Sequence, residues 1–402
     1  MANKYPTIFI HGLFGWGSGE KLYAKLPYWG ASKDKELTHF LTGKGYEVYN
    51  PSVGPVLSAW DRSCELWAFL MGGTVDYGKV HSEKYHHARY GRTYEKGAVE
   101  DWGMPGNHKK INIVGHSFGG PTVKQFAELV AHGCQEEIDA TPEEELSGLF
   151  KANKPQKLHT VTTLSGVNNG TTYASKDGKL GMVAICNFLL FFNVLFSRTK
   201  ANQWWDFHTD HFGIMPEPST VKGFKLTNPF SKRQEVHNFA WNDFDCIARE
   251  LQVETQCDIN ETEKVDPSIY YFARRACRSN PAPFGTTYLD HDGELLCKIL
   301  CPITAIATAR PGLKKYGVDK SWKPNDGIVN VIGQSAPLNA PQTDYNPGMD
   351  VEPGIWYNMP VERKDHMSWA GIGEDTAVYT KYYEDMVKWF SELPDGEDAS
   401  DK

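Results

Sequence analysis

Gly115-His116-Ser117-Phe118-Gly119 sets a serine between two glycines in the pattern G-x-S-x-G. An apolar run (Ile111, Ile113, Val114) leads in. A helical pattern (Val123, Phe126, Ala127, Val130) leads out, with Pro121 in its first turn and Gly133 past its end. Strand, sharp turn and helix is the setting in which such a serine acts as a nucleophile. The turn lifts its hydroxyl above the end of a sheet, and the helix N-terminus favours negative charge beside it. A serine hydroxyl is weak without a base, and the base needs a third group to orient it. With the chain order Ser, Asp or Glu, His, His366 is the histidine to expect, because no other follows Asp326. Asp326, in the turn Asn325-Asp326-Gly327, is the expected acid, with Asp319 and Asp365 as alternatives. Asp365 adjoins His366, and sequence neighbours rarely aim their side chains at each other. His11-Gly12-Leu13-Phe14-Gly15 follows another apolar run. The backbone N–H groups of Leu13 and Phe118 are then the two expected oxyanion-hole donors, each typically worth about 3 kcal/mol in the transition state. Together these residues predict acyl transfer through a serine ester.

The elements that must position them follow from periodicity. Strands are expected at 5–10, 46–53, 158–164, 302–309 and 354–359. Helices are expected at 37–44, after Ser117, across 234–276, and at 376–392, where Val378, Tyr382, Met386, Trp389 and Phe390 share a face. Strands alternating with helices predict an α/β-hydrolase, a central mostly parallel sheet flanked by helices. The expected organisation is one domain over 1–402, with an insertion at 58–96, a lid region at about 176–235 and an acidic, disordered tail at 395–402. The run 181–196, GMVAICNFLLFFNVLF, is shorter than the roughly 20 residues of a membrane span. It reads either as a buried core helix or as a lid helix whose apolar face turns to lipid.

The chain's 402 residues carry a net charge of −8, which argues against nucleic acid and against a strongly anionic membrane surface as partners. Of the cysteines, Cys297 and Cys301 lie in an apolar run and read as buried thiols, while Cys257 and Cys277 are a pair that an oxidising compartment could join. Residues 1–12 lack a charged segment followed by an apolar stretch, so no signal peptide is expected there. His81, His86 and His87 crowd the 58–96 insertion, as a metal site or as histidines on a solvated helix.

With these residues in view, the chain resembles the large bacterial lipases of the thermophilic Geobacillus and staphylococcal group. The likeness rests on HGLFGWG (11–17), WDRSCE (60–65), GGTVDYG (72–78), HARYGRTY (87–94), GHSFGG (115–120), NDGIVN (325–330) and DH (365–366). It implies Ser117, Asp326 and His366 as the triad, Leu13 and Phe118 as oxyanion donors, and a lid helix at 181–196. It also implies a structural zinc in the insertion, held by two aspartates and two histidines. Asp61, His81 and His87 fall on three ligand positions; T-D-H-F-G makes the fourth Asp210, with Asp206 as fallback. Four protein ligands at ~2.0–2.2 Å make a closed structural site rather than a catalytic one. The function implied is a secreted triacylglycerol lipase working on lipid esters at an oil–water interface, in peripheral contact with lipid. The alternative is a soluble carboxylesterase on the same scaffold. Two departures stand out. Phe118 occupies a position often held by Gln or Met. Ser368 stands two residues after His366, where many members carry an acidic calcium ligand, leaving Glu374 and Asp375 as the acids able to compensate.

Overall fold

A computed structural model describes residues 2–175, 204–208, 210–212 and 245–395. The expected lid helix at 181–196, residues 234–244 of the expected helical stretch and the tail from 396 lie outside them. The described strands are β1 (Thr7–Ile10), β2 (Val48–Tyr49), β3 (Gly73–Asp76), β4 (Tyr90–Tyr94), β5 (Lys110–His116), β6 (Lys157–Leu164), β7 (Tyr270–Arg274), β8 (Ser279–Pro281), β9 (Thr287–Leu289), β10 (Gln342–Asp344) and β11 (Trp356–Asn358). Seven of them form one sheet in the order β10-β11-β7-β6-β5-β1-β2. Every pairing in it is parallel.

A parallel sheet needs cover on both faces, and the side chains alternate accordingly. Ile8, Ile10, Ile111, Ile113, Val161 and Tyr271 join one apolar cluster with the helices Ala59–Met71 and Gly119–His132. Phe9, Val114, Leu164, Tyr270 and Phe272 join the other, with the helices Leu37–Gly43 and Thr376–Glu392. From β1 the chain first adds β2 on one side and later β5 on the other, so strand order reverses between β1 and β5. Sites in open parallel sheets form at the carboxyl ends of strands beside such a reversal. Ile10 pairs with Gly115, so the loop after β1 and the turn after β5 leave the sheet side by side.

Two expectations are corrected. Residues 302–307 are not a strand; they complete a helix, Leu295–Ala307, that runs through Pro302. Its Cys297, Cys301, Thr304 and Ala305 are buried at helical spacing, and Glu294 caps it by accepting from the Cys297 N–H. The stretch to 276 is not helical throughout. It holds the helices Ile247–Glu250 and Val253–Asn260 and then β7, whose run Tyr270-Tyr271-Phe272-Ala273 is buried on both faces. Cys257 and Cys277 are separate free thiols.

Candidate active site and metal centre

The turn after β5 carries its serine in a strained state. Ser117 has φ 58°, a left-handed conformation that residues with a side chain rarely adopt. The glycines around it are sterically required. A Cβ on Gly115 would stand 2.1 Å from the Gly119 carbonyl oxygen, and one on Gly119 would stand 2.5 Å from that of Ile10. The tight packing brings the start of the Gly119–His132 helix against the strand ends and leaves Ser117 over them.

His366 Nε2 lies 2.8 Å from Ser117 Oγ, and His366 Nδ1 lies 2.8 Å from Asp326 Oδ2. The other Asp326 oxygen accepts from the N–H groups of Ile328 (3.0 Å) and Val329 (2.7 Å), and the Asp326 carbonyl accepts from the His366 N–H. Asp326 is fully buried, so its carboxylate is fixed in one orientation. The two alternative acids are engaged elsewhere. Asp365 caps the turn His366–Ala370 by accepting from Met367 and Ser368, and Asp319 accepts from Ser321 at the surface.

Around the serine, two amides stand apart from their neighbours. The N–H groups of Gly12, Phe14 and Gly15 donate to Tyr28 Oη, the Pro55 carbonyl and the Gly12 carbonyl; that of Ser117 donates to the Leu164 carbonyl. Among the described residues the N–H groups of Leu13 and Phe118 have no acceptor. Phe118 is buried and Leu13 half-buried, and backbone donors in such places are nearly always paired, so two open donors flanking a serine mark a place for a ligand oxygen.

A hydrogen-bonded chain that sequence reasoning missed joins the three loops. The Gly12 N–H donates to Tyr28 Oη (3.0 Å), Tyr28 O–H donates to His116 Nδ1 (2.6 Å), and His116 Nε2–H donates to the His366 carbonyl (3.0 Å). Only a neutral His116 can accept at one nitrogen while donating from the other. Burial, aided by the charge of His366, pushes its pKa well below the usual imidazole value. Below the loop after β1, the buried Arg62 guanidinium donates to the His11 carbonyl and lies over the Phe118 ring at 5.4 Å.

The 58–96 insertion forms the helices Ala59–Met71 and Lys79–Tyr85 and the antiparallel hairpin β3–β4. It brings together Asp61, His81, His87 and Asp245, with one ligand-type atom from each lying within 4.8 Å of the others. Asp210, the expected fourth ligand, lies outside this group. Asp210 and its fallback Asp206 both face Arg92, at 3.4 Å. What segment 204–212 sends to the cluster is His211, whose Nε2 lies 2.9 Å from Asp61 Oδ2.

Local structure holds each member in place. Ser58 caps the Asp61 helix and donates to Asp245 Oδ2 (2.6 Å). Glu137 accepts from the N–H groups of Lys79, Val80 and His81, seating the His81 helix. His81 Nε2 lies 2.6 Å from Asp245 Oδ2 and 3.5 Å from Asp61 Oδ1. Burial works against its protonation, but the two carboxylates outweigh that and hold its pKa at about 10. Asp61 Oδ1 is buried and accepts no hydrogen bond. An orphaned carboxylate oxygen facing two imidazoles and a second carboxylate suits a divalent cation. Glu374 and Asp375, the possible calcium acids, form no such group among the described residues; Asp375 caps the helix Thr376–Glu392.

A family model described as the lipase-like, C-terminal domain matches residues 3–399. Lipase 1 of Staphylococcus aureus (strain MRSA252) is 29% identical over 396 residues, 98% of this chain and 54% of that protein. The chain thus spans about half the length of the curated relatives it matches. Staphylococcus hyicus lipase has the same fold at a TM-score of 0.83 and 27% identity, covering 97% of this chain and 96% of that one. Lipase 1 from Pelosinus fermentans is similar at a TM-score of 0.73 and 32% identity, covering 98% of this chain and 100% of that one.

Proposed function

The chain belongs to the family of lipase-like C-terminal domains, and on that footing we propose that it is a serine lipase hydrolysing triacylglycerol esters. The observation that carries this reading is the line Ser117–His366–Asp326 beside two amides without acceptors. His366 Nε2 takes the Ser117 proton as Oγ attacks the ester carbonyl carbon. The carbonyl oxygen becomes an oxyanion between the Leu13 and Phe118 N–H groups. Collapse breaks the C–O bond to the alcohol, which leaves with the proton from His366. Water, deprotonated by the same nitrogen, then attacks the acyl-serine and releases the acid. Asp326 holds the His366 tautomer and stabilises the imidazolium.

For the cluster in the insertion we propose zinc, held by Asp61, His81, His87 and Asp245. Its role there is structural. Four protein ligands leave no position for substrate, and the ion would tie two helices to the start of the Ile247–Glu250 segment. His211, donating to Asp61, would orient that ligand. Secretion is proposed from the resemblance alone, and assaying a culture supernatant tests it.

The experiment for the catalytic reading follows hydrolysis against concentration of a sparingly soluble triglyceride, carried through its solubility limit. A jump as droplets form supports a lipase. A smooth saturating curve makes the protein a carboxylesterase with the same triad. Failure of a fluorophosphonate probe to label Ser117 in folded protein sinks both.

A further inference from the structure

The helix Leu295–Ala307 is amphipathic in an unusual sense, because its apolar residues face both ways. Cys297, Cys301, Thr304 and Ala305 point inward. Leu295, Leu296, Ile299, Ile303 and Ile306 form a stripe at helical spacing on the opposite side, with Leu295 69% and Ile306 61% exposed. Next to it stands the β8–β9 hairpin, fastened to the helix where Thr287 Oγ1 donates to the Cys301 carbonyl at 3.2 Å. The hairpin's turn, Pro283–Gly285, holds Phe284 at φ 60° and 106% exposed. A bulky residue kept at positive φ with its ring wholly in water has given up both backbone comfort and burial. Exposed apolar residues concentrated in this way mark a contact surface.

The charge around it indicates which kind. From 295 to 323 the chain carries Lys298, Arg310, Lys314, Lys315, Lys320 and Lys323 against one acid, Asp319. Arg310 turns inward to the Thr172 and Tyr173 carbonyls, whereas Lys314, Lys315 and Lys320 are exposed. Lys323 reaches the Phe284 turn, since a Cβ on Gly285 would stand 2.8 Å from its Nζ. The nearby acids Asp290 and Asp292 are paired with Arg278 and Arg363. A chain of net charge −8 therefore carries exposed lysines in the segment that directly follows its apolar stripe, and Lys323 at the Phe284 turn.

We propose that this face docks on an anionic lipid surface. Phe284 and the leucine and isoleucine stripe enter the acyl boundary, while the lysines meet lipid headgroups. The face is coupled to the site. The Glu294 N–H donates to Asp365, the neighbour of His366, at 3.0 Å, and Cys297 packs on Gly327, the neighbour of Asp326. Docking would thus set the loops bearing the base and the acid against the lipid. The inference deepens the lipase reading and takes its biological sense from it.

The test uses the full chain carrying Ser117→Ala, so that no lipid is consumed. It measures co-sedimentation with phosphatidylcholine vesicles with and without phosphatidylglycerol, at rising salt. The expected result is binding at least about tenfold tighter with phosphatidylglycerol, weakening as salt screens the lysines. Ile299→Ser with Ile303→Ser weakens binding to both vesicles. Lys314→Glu with Lys320→Glu removes the preference for the anionic one. All four sites are exposed, so an unchanged melting temperature is the check on folding. Equal binding of the parent to both vesicles overturns the proposal. So does an apolar variant that binds like its parent, or a dimer in sedimentation velocity that the apolar substitutions dissociate, because a second copy then covers the face. No turnover is read here, so hydrolysis in the triglyceride assay of the unsubstituted chain without vesicle preference sinks this inference alone, and vesicle preference without that hydrolysis sinks the lipase reading alone.

Discussion

Tyr28→Phe removes one oxygen and leaves the ring packing in place. That oxygen accepts from the Gly12 N–H and donates to His116 Nδ1, and both partners are buried. Each buried polar group left unpaired costs about 1–3 kcal/mol, so the substitution should lower stability by about 2–6 kcal/mol. The catalytic effect has a different origin. Gly12 immediately precedes Leu13, and the oxyanion donor keeps its position only while the Gly12 amide is tethered. Complete loss of one such donor is worth about 3 kcal/mol, or a factor of order 100 in kcat. A loosened donor should retain part of that, so kcat should fall by about 10- to 100-fold, with kcat/KM falling in step because the contact exists only in the transition state. The assay is steady-state hydrolysis of a soluble short-chain ester, paired with thermal melts. His116→Leu breaks the same chain one link further on and also releases the His366 carbonyl. Because the two substitutions share a hydrogen bond, the double variant should fall short of the summed losses by about 1 kcal/mol. A Tyr28→Phe enzyme that melts lower yet keeps its kcat within about twofold would refute the reasoning. Strictly additive losses would refute the link between the two residues.

Asp326→Asn should cut kcat by about 10⁴-fold by leaving His366 in the wrong tautomer, whereas Asp365→Ala should cost stability on the order of 1 kcal/mol through its lost cap; a larger kcat loss for Asp365→Ala would reverse the assignment of the acid. Asp245→Asn should strip bound metal, read by elemental mass spectrometry, and lower the melting temperature, while Asp210→Asn should keep its metal; the opposite pattern would restore Asp210 as the ligand. Chelation should lower the melting temperature of the parent and leave that of Asp245→Asn unmoved. His208 gives a pH signature. Burial and the Arg92 charge push it down, but Glu65 at 2.9 Å and Glu20 at 3.5 Å overcome them and hold its pKa at about 9. A raised folded-state value stabilises fully below the ordinary 6.5 and is lost as pH climbs through about 9. The melting temperature should therefore decline across that window, and His208→Gln should flatten the decline.

Chemistry that depends on a few adjacent residues was legible. Strand, Gly115-His116-Ser117-Phe118-Gly119 and helix is a local device, and Ser117 could hardly be placed elsewhere. His366 followed from being the last histidine in the chain. Even the misread segment held its signal. Cys297, Cys301, Thr304 and Ala305 repeat at helical spacing, but Ile303, Ala305 and Ile306 suggested a strand. Tertiary packing of the inner face and the Glu294 cap overrode those preferences. The aromatic run of β7 had the opposite difficulty. A strand buried on both faces shows no alternation, so periodicity could not separate it from the helices before it.

What stayed hidden is whatever depends on which of several neighbouring side chains turns inward, and on what stands beside it in space. The motif around 206–212 pointed to a segment that meets the cluster, through His211 rather than Asp210. In the short turn Asp210–Phe212 it is His211 that meets Asp61, while Asp210 turns to Arg92. Asp245, far along the chain, reaches the cluster because Ser58 and His81 hold its carboxylate. No spacing rule contains that distance. The network Gly12–Tyr28–His116–His366 was hidden for the same reason, since its members come from four separate stretches. Net charge is a whole-chain quantity of the same kind. A sum of −8 argued against anionic surfaces, yet adhesion is governed by charge within a Debye length, and residues 295–323 carry an excess of lysine beside an exposed apolar stripe. A partner responds to the local face the fold assembles, so whole-chain composition cannot exclude it.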